Sequence, residues 1–131
     1  MQDRVLIDTS IWVDFFRGKD AGLAEKISAL LKSGMAVYCG IIALELIKGA
    51  KGQRELQVLQ DAFDAMEKAS ETEDTYFYAG RLGYEMARKG HSMGVVDLLI
   101  AQVAIENDLS LLTADGHFGT IAKNSRLKLL T

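Results

Sequence analysis

Four of the 18 acidic side chains in this sequence stand apart by position: Asp8, Glu45, Asp97 and Asp115. Asp8 immediately follows the apolar run Val5-Leu6-Ile7, and Asp115 stands in the same relation to Leu111-Leu112-Thr113. Both runs have the continuous apolar character of a buried parallel strand. The two carboxylates therefore fall at the carboxyl ends of strands, the edge at which open parallel sheets bind ligands. Glu45 lies in Ile41-Ile42-Ala43-Leu44-Glu45-Leu46-Ile47, where a helix gives it one face with Ile41 and Ile42. Asp97, in Val95-Val96-Asp97-Leu98-Leu99-Ile100-Ala101, shares its face with Ile100 and Ala101.

A carboxylate on the apolar face of a helix is costly unless something pairs with it. A buried ion pair is the ordinary structural answer. Asp97 has no basic residue three or four positions away in either direction, while Glu45 has Lys48 at i+3. Two carboxylates about 5 Å apart repel by roughly 3 kcal/mol at an effective dielectric near 20. Several such pairs rival the roughly 5–15 kcal/mol by which a domain is stable at all. Converging acids must therefore share protons or hold cations. All-oxygen ligation favours Mg²⁺ or Mn²⁺ over zinc, with one or two ions held. The two histidines, His91 and His117, do not form a zinc pattern. His117 follows Asp115 closely but reads as a helix-start or surface residue rather than a ligand.

The elements that must position these acids alternate along the chain. Ile11, Trp12, Phe15 and Phe16 have helical spacing closed by Gly18, and the stripe Leu23, Ile27, Leu30, Leu31 ends at Gly34. Met35 to Tyr38 is a second strand, and a helix from Ile41 stops near Gly49. Glu55 to Met66 is helical, with a weak strand over Glu67 to Ser70. Thr72 is expected to cap a helix running to Lys89 before Gly90, with Glu73 and Asp74 in its first turn. Val95 to Glu106 and Gly116 to Lys123 are further helices, and Leu127 to Leu130 a last strand. Strands alternating with helices specify an α/β fold of three layers, α/β/α, around a parallel sheet of about four to five strands.

Composition fits this. The chain of 131 residues, 49% apolar and 25% charged, suits a single domain spanning residues 1–131 with a real core. Its one cysteine, Cys39, cannot form an internal disulfide and is expected to be a small buried residue. The start, Met1-Gln2-Asp3-Arg4, carries no signal-peptide core, and no stretch approaches the roughly 20 apolar residues of a membrane span. A cytoplasmic protein without membrane attachment is expected. The formal charge of −3 does not by itself suggest a nucleic-acid partner. Basic residues do gather at Arg17 with Lys19, at Lys48 with Lys51 and Arg54, at Arg88 with Lys89, and at Arg126 with Lys128.

These motifs, in this order and over nearly the whole chain, resemble the PIN-domain nucleases, in particular the VapC-type toxins of toxin–antitoxin pairs. The segments carrying the resemblance are Leu6-Ile7-Asp8-Thr9-Ser10-Ile11-Trp12, Glu45-Leu46-Ile47-Lys48-Gly49, Val96-Asp97-Leu98-Leu99-Ile100-Ala101 and Leu111-Leu112-Thr113-Ala114-Asp115, closed by His117-Phe118. The resemblance implies a metal-dependent endoribonuclease whose acidic quartet is Asp8, Glu45, Asp97 and Asp115. Asp8 and Asp97 become the principal metal ligands, and Glu45 and Asp115 additional ones or ligands through water. Thr9, Ser10 and Thr113 match small hydroxyl positions that orient acids or water. The resemblance also implies an RNA substrate, a homodimer, and an antitoxin that blocks the site. Two positions depart from the pattern: Gly40-Ile41-Ile42-Ala43 lacks the Ser or Thr often found before the second acid, and Ala114 replaces a residue that is often basic.

Other functions with similar folds fit less well. A phosphoaspartate receiver gathers acids at strand ends but needs a lysine near its last strands, and Leu111 to Asp115 has none. A haloacid-dehalogenase-type phosphatase needs an acid two residues after its first aspartate, where this chain has Ser10. An inactive RNA-binding scaffold of the same fold would have no need of four intact acids.

Overall fold

The computed structural model describes residues 3–130; Met1, Gln2 and Thr131 lie outside the described residues. Five parallel strands form one sheet in the order β3-β2-β1-β4-β5. They are β1 (Val5–Ile7), β2 (Ala36–Tyr38), β3 (Glu67–Lys68), β4 (Ser110–Leu112) and β5 (Lys128–Leu129). Every residue of β1 and β4 is buried, as their unbroken apolar runs require of strands covered on both faces. The edge strands β3 and β5 are shorter and more exposed. The strand expected over Glu67 to Ser70 is thus only its first two residues.

Among the described residues, seven helices cover the sheet: α1 (Thr9–Arg17), α2 (Ala21–Lys32), α3 (Gly40–Lys48), α4 (Gln53–Asp64), α5 (Thr75–Arg88), α6 (Val95–Glu106) and α7 (His117–Lys123). This is the three-layer α/β/α arrangement that the alternating pattern specified. Gly18 ends α1 in the left-handed conformation, φ 65°, and returns its N–H to the Phe15 carbonyl. The core is built on Trp12, Leu6, Ile7, Ile27, Ile42, Leu111 and Phe118. Burying side chains of this size contributes about 1.5–3 kcal/mol each. Cys39 belongs to that core, and burial pushes its thiol pKa up to about 11.

Two features of this fold set up the site. The chain steps outward from β1 to β2 to β3, then crosses back to place β4 on the other side of β1. The point where the winding reverses lies between β1 and β4, and their carboxyl ends open a crevice there. Asp8 N–H donates to the Leu112 carbonyl at 2.9 Å, extending the ladder by one bond and fixing the backbone at the first acid.

The second feature is α6, which buries Leu98, Leu99, Ile100, Ala101, Val103 and Ala104 and so is covered nearly all round. Its outer cover is α5. The two approach so closely that a Cβ on Gly83 would stand 2.6 Å from Leu98 Cδ1. Buried Thr75, at the start of α5, donates to the Glu106 carboxylate at the end of α6, at 2.9 Å. Thr72 does not cap this helix. Its hydroxyl instead accepts from Asp74 N–H, and its own N–H donates to Thr75 Oγ1, so the helix starts three residues later. Local turn bonding outcompeted the capping role.

Candidate metal-binding active site

Asp8 occupies the cap position of α1, yet its side chain makes no capping hydrogen bond. An aspartate there ordinarily gives an oxygen to the first turn. Here Oδ2 accepts from Ser10 Oγ at 2.7 Å and from Thr113 Oγ1 at 2.8 Å. Asp8 is buried to 5% exposure, and no protein donor reaches its Oδ1 among the described hydrogen bonds. Two hydroxyls thus hold one oxygen and leave the other for a ligand.

The hydroxyls are themselves placed by the loop after β4. Ala114 N–H donates to Ser10 Oγ at 3.1 Å, and Asp115 N–H donates to Thr113 Oγ1 at 3.0 Å. The β1 and β4 loops are thereby tied together around Asp8. Glu45 projects from α3, half-buried, and its Oε1 accepts from Thr9 Oγ1 at 2.8 Å. Each hydroxyl expected to support an acid therefore does touch one.

Asp97 enters from a different direction. It sits in the first turn of α6, where the helix dipole favours a negative charge. Its carboxyl pKa is nevertheless held above the ordinary value. Burial is the largest cause, followed by the negative charges of Asp115 and Asp8, with Glu45 adding to them and His117 opposing. The negative charges of all three other carboxylates thus act on Asp97, while its nearest acidic neighbour is Asp115.

Asp115 completes the set from the loop ahead of α7, where its Oδ1 accepts the His117 N–H at 2.9 Å. The tightest group of candidate ligand atoms comprises Asp97, Asp115 and His117, all within 4.8 Å of one another. His117 opens α7 and is exposed, as expected from sequence. Its ring, however, turns back on the acids, with Nδ1 3.3 Å from Asp115 and 3.6 Å from Asp97. Spacing along the chain could not reveal this contact, because Asp97 comes from a separate helix. Among the described residues, no lysine or arginine forms an ion pair with any of the four acids. The carboxylate oxygens, crowded and without a lysine or arginine partner among the described residues, suit a hard divalent cation. A cleft of about 310 Å³ opens beside Thr9 and Glu45, with Arg17 and Lys51 on its walls.

Comparison with known proteins agrees with this geometry. The family model described as the PIN domain matches residues 5–124. Ribonuclease VapC19 of Mycobacterium tuberculosis is 35% identical over 115 residues, covering 86% of this chain and 90% of its own length. Ribonuclease VapC11 of the same organism is 29% identical over 128 residues, covering 95% and 96%. Among solved structures, VapBC2 from Rickettsia felis, bound to a DNA fragment from its promoter, superposes with a TM-score of 0.77. It is 26% identical, over 96% of each chain.

Proposed function

This chain belongs to the PIN-domain family, and from that premise we propose that it is a Mg²⁺- or Mn²⁺-dependent endoribonuclease, the toxin of a toxin–antitoxin pair. One observation carries the proposal. Asp97 and Asp115 meet beside the winding reversal of the sheet and the charges of Asp8 and Glu45 reach Asp97, with no lysine or arginine paired to any of the four among the described residues. The ribonuclease names of its relatives and the VapBC assembly of its structural neighbour support the same reading.

In this mechanism Asp8 and Asp97 would hold the principal ion, and Glu45 and Asp115 would serve as additional ligands, position water or support a second ion. When bound, the cation neutralises the scissile phosphate and lowers the pKa of water. Ser10 and Thr113 fix Asp8 through one oxygen, and Thr9 fixes Glu45, so the carboxylates meet the substrate in a set geometry. Hydrolysis forms a bond from water oxygen to phosphorus in line with the bond that breaks, leaving a 5′-phosphate and a 3′-hydroxyl. Single-stranded or looped RNA is the substrate, because its backbone can bend into the crevice. Arg17 and Lys51 beside Glu45 offer counter-charge to flanking phosphates, offsetting the acidic balance of the chain.

The remaining parts of the proposal concern assembly and location. Residues 1–131 act as one PIN-like unit in the cytoplasm, and no helix among the described residues is long and apolar enough to cross a membrane. A cognate antitoxin covers the site. Self-association as a homodimer is supported by the exposed Tyr76, Phe77 and Tyr84 of α5. The test is cleavage of a fluorogenic single-stranded RNA with Mn²⁺ or with chelator. Wild type should cut only with the ion, and Asp8→Asn should lose at least about a hundredfold in rate while remaining folded. Equal cleavage by the variant, or cleavage in chelator, would remove the four acids from the mechanism.

A further inference from the structure

Resting on that metal-dependent reading, we propose that His117 is itself a ligand of the ion through Nδ1, making the site a mixed nitrogen–oxygen one. Its spacing fits. Two donors about 2.1 Å from one octahedral ion, at right angles, stand about 3 Å apart. His117 Nδ1 lies 3.3 Å from Asp115 Oδ1 and 3.6 Å from Asp97 Oδ2, both near that spacing, and ligand atoms of all three residues lie within 4.8 Å of one another. The backbone that carries the ring is also tied to the cluster. His117 N–H donates to Asp115 Oδ1, and the next residue, Phe118, is wholly buried. Its Nε2 has no protein acceptor among the described hydrogen bonds and its side chain is 71% exposed, so the second nitrogen faces solvent.

The competing role for His117 is that of a counter-charge, a protonated ring relieving the repulsion between Asp97 and Asp115. The two roles predict opposite signs. Losing a counter-charge leaves the site more negative and tightens every divalent ion. Losing an imidazole ligand weakens the ions that favour nitrogen, such as Ni²⁺ and Zn²⁺, and spares Mg²⁺, which favours oxygen. The ligand role therefore has consequences for metal choice. His117 widens the margin by which the site prefers later transition ions over Mg²⁺.

Pulsed electron paramagnetic resonance on the full chain with bound Mn²⁺ reads the bond directly, as a ¹⁴N hyperfine coupling. We expect the coupling in wild type and its loss in His117→Ala with Mn²⁺ still bound. Calorimetry should show Ni²⁺ binding weakened by about tenfold or more in His117→Ala, with Mg²⁺ unchanged or tighter. Mn²⁺ bound to wild type without a nitrogen coupling overturns the His117 assignment and leaves the acidic site standing. Tightening of both Ni²⁺ and Mg²⁺ in the variant likewise assigns His117 as a counter-charge only. A wild-type chain that binds no Mn²⁺ overturns both the assignment and the metal-dependent reading beneath it.

Discussion

Replacing Asp97 by asparagine should stabilise the metal-free protein, although it removes a group proposed to hold the ion. Candidate ligand atoms of Asp97 and Asp115 lie within 4.8 Å. At that separation two full charges repel by about 3 kcal/mol at an effective dielectric near 20. Asp115 is 36% exposed, and salt and solvent reduce the figure to about 1 kcal/mol. For a chain of this length that corresponds to a rise in melting temperature of about 3–5 °C. The gain has a defined dependence on pH. The folded-state carboxyl of Asp97 titrates above its ordinary value of 3.8, so between the two values the folded protein holds more protons than the unfolded chain. Stability then falls as pH rises through that window and stays lower above it. Asparagine abolishes the loss, so its advantage is absent below the ordinary carboxylate value and fully developed above the raised one. Thermal melts in chelator across this range measure it. Adding Mn²⁺ at about a hundred times its dissociation constant should then stabilise wild type by about 2.7 kcal/mol and the variant far less. A variant that melts below wild type in chelator at neutral pH, or that gains equally from Mn²⁺, refutes the electrostatic account of the cluster.

Other expectations follow from the packing. Gly80→Ala, in mid-helix with open space at its Cβ position, should raise stability by about 0.5–1 kcal/mol in a denaturant titration. Gly83→Ala carries the same helix benefit but presses on buried Leu98, so it should lie at least about 1 kcal/mol below Gly80→Ala. Cys39, buried and with its pKa pushed up to about 11, should resist alkylation by iodoacetamide at pH 8 until the protein unfolds, as read by mass spectrometry. Thr75→Val removes the donor that joins α5 to the Glu106 carboxylate and should lower stability by about 1–3 kcal/mol in the same titration.

Much of this fold is written locally in the chain. Val5-Leu6-Ile7 and Leu111-Leu112 are apolar without interruption because both faces of those strands are covered, and the acids that follow, Asp8 at once and Asp115 after two residues, mark the sheet edge. Glu45 and Asp97 betray themselves as acids among apolar helical neighbours. What local pattern does not carry is competition between partners. Thr72 has the residue type and acidic followers of a cap, yet the buried Thr75 hydroxyl claims its N–H, and the helix starts later. Asp8 likewise stands at a cap position that it does not use, because Ser10 and Thr113 take its oxygen across more than a hundred residues of sequence in the latter case. The reach of His117 into the cluster depends on how α6 and α7 lie against each other. None of these outcomes has a period or a spacing to detect.

The near-complete enclosure of α6 makes the two sides of the crevice mechanically unequal. Asp97 is carried at the start of a helix whose body from Leu98 onward is packed into the core, and Asp8 is held by two hydroxyls at the centre of the sheet. Asp115 and His117, on a loop and the first turn of a short surface helix, supply the compliance. Cations of different radius should therefore be accommodated mainly by displacement of residues 114–117, with nuclear magnetic resonance shifts that vary from ion to ion there and stay near constant along α6 beyond Asp97.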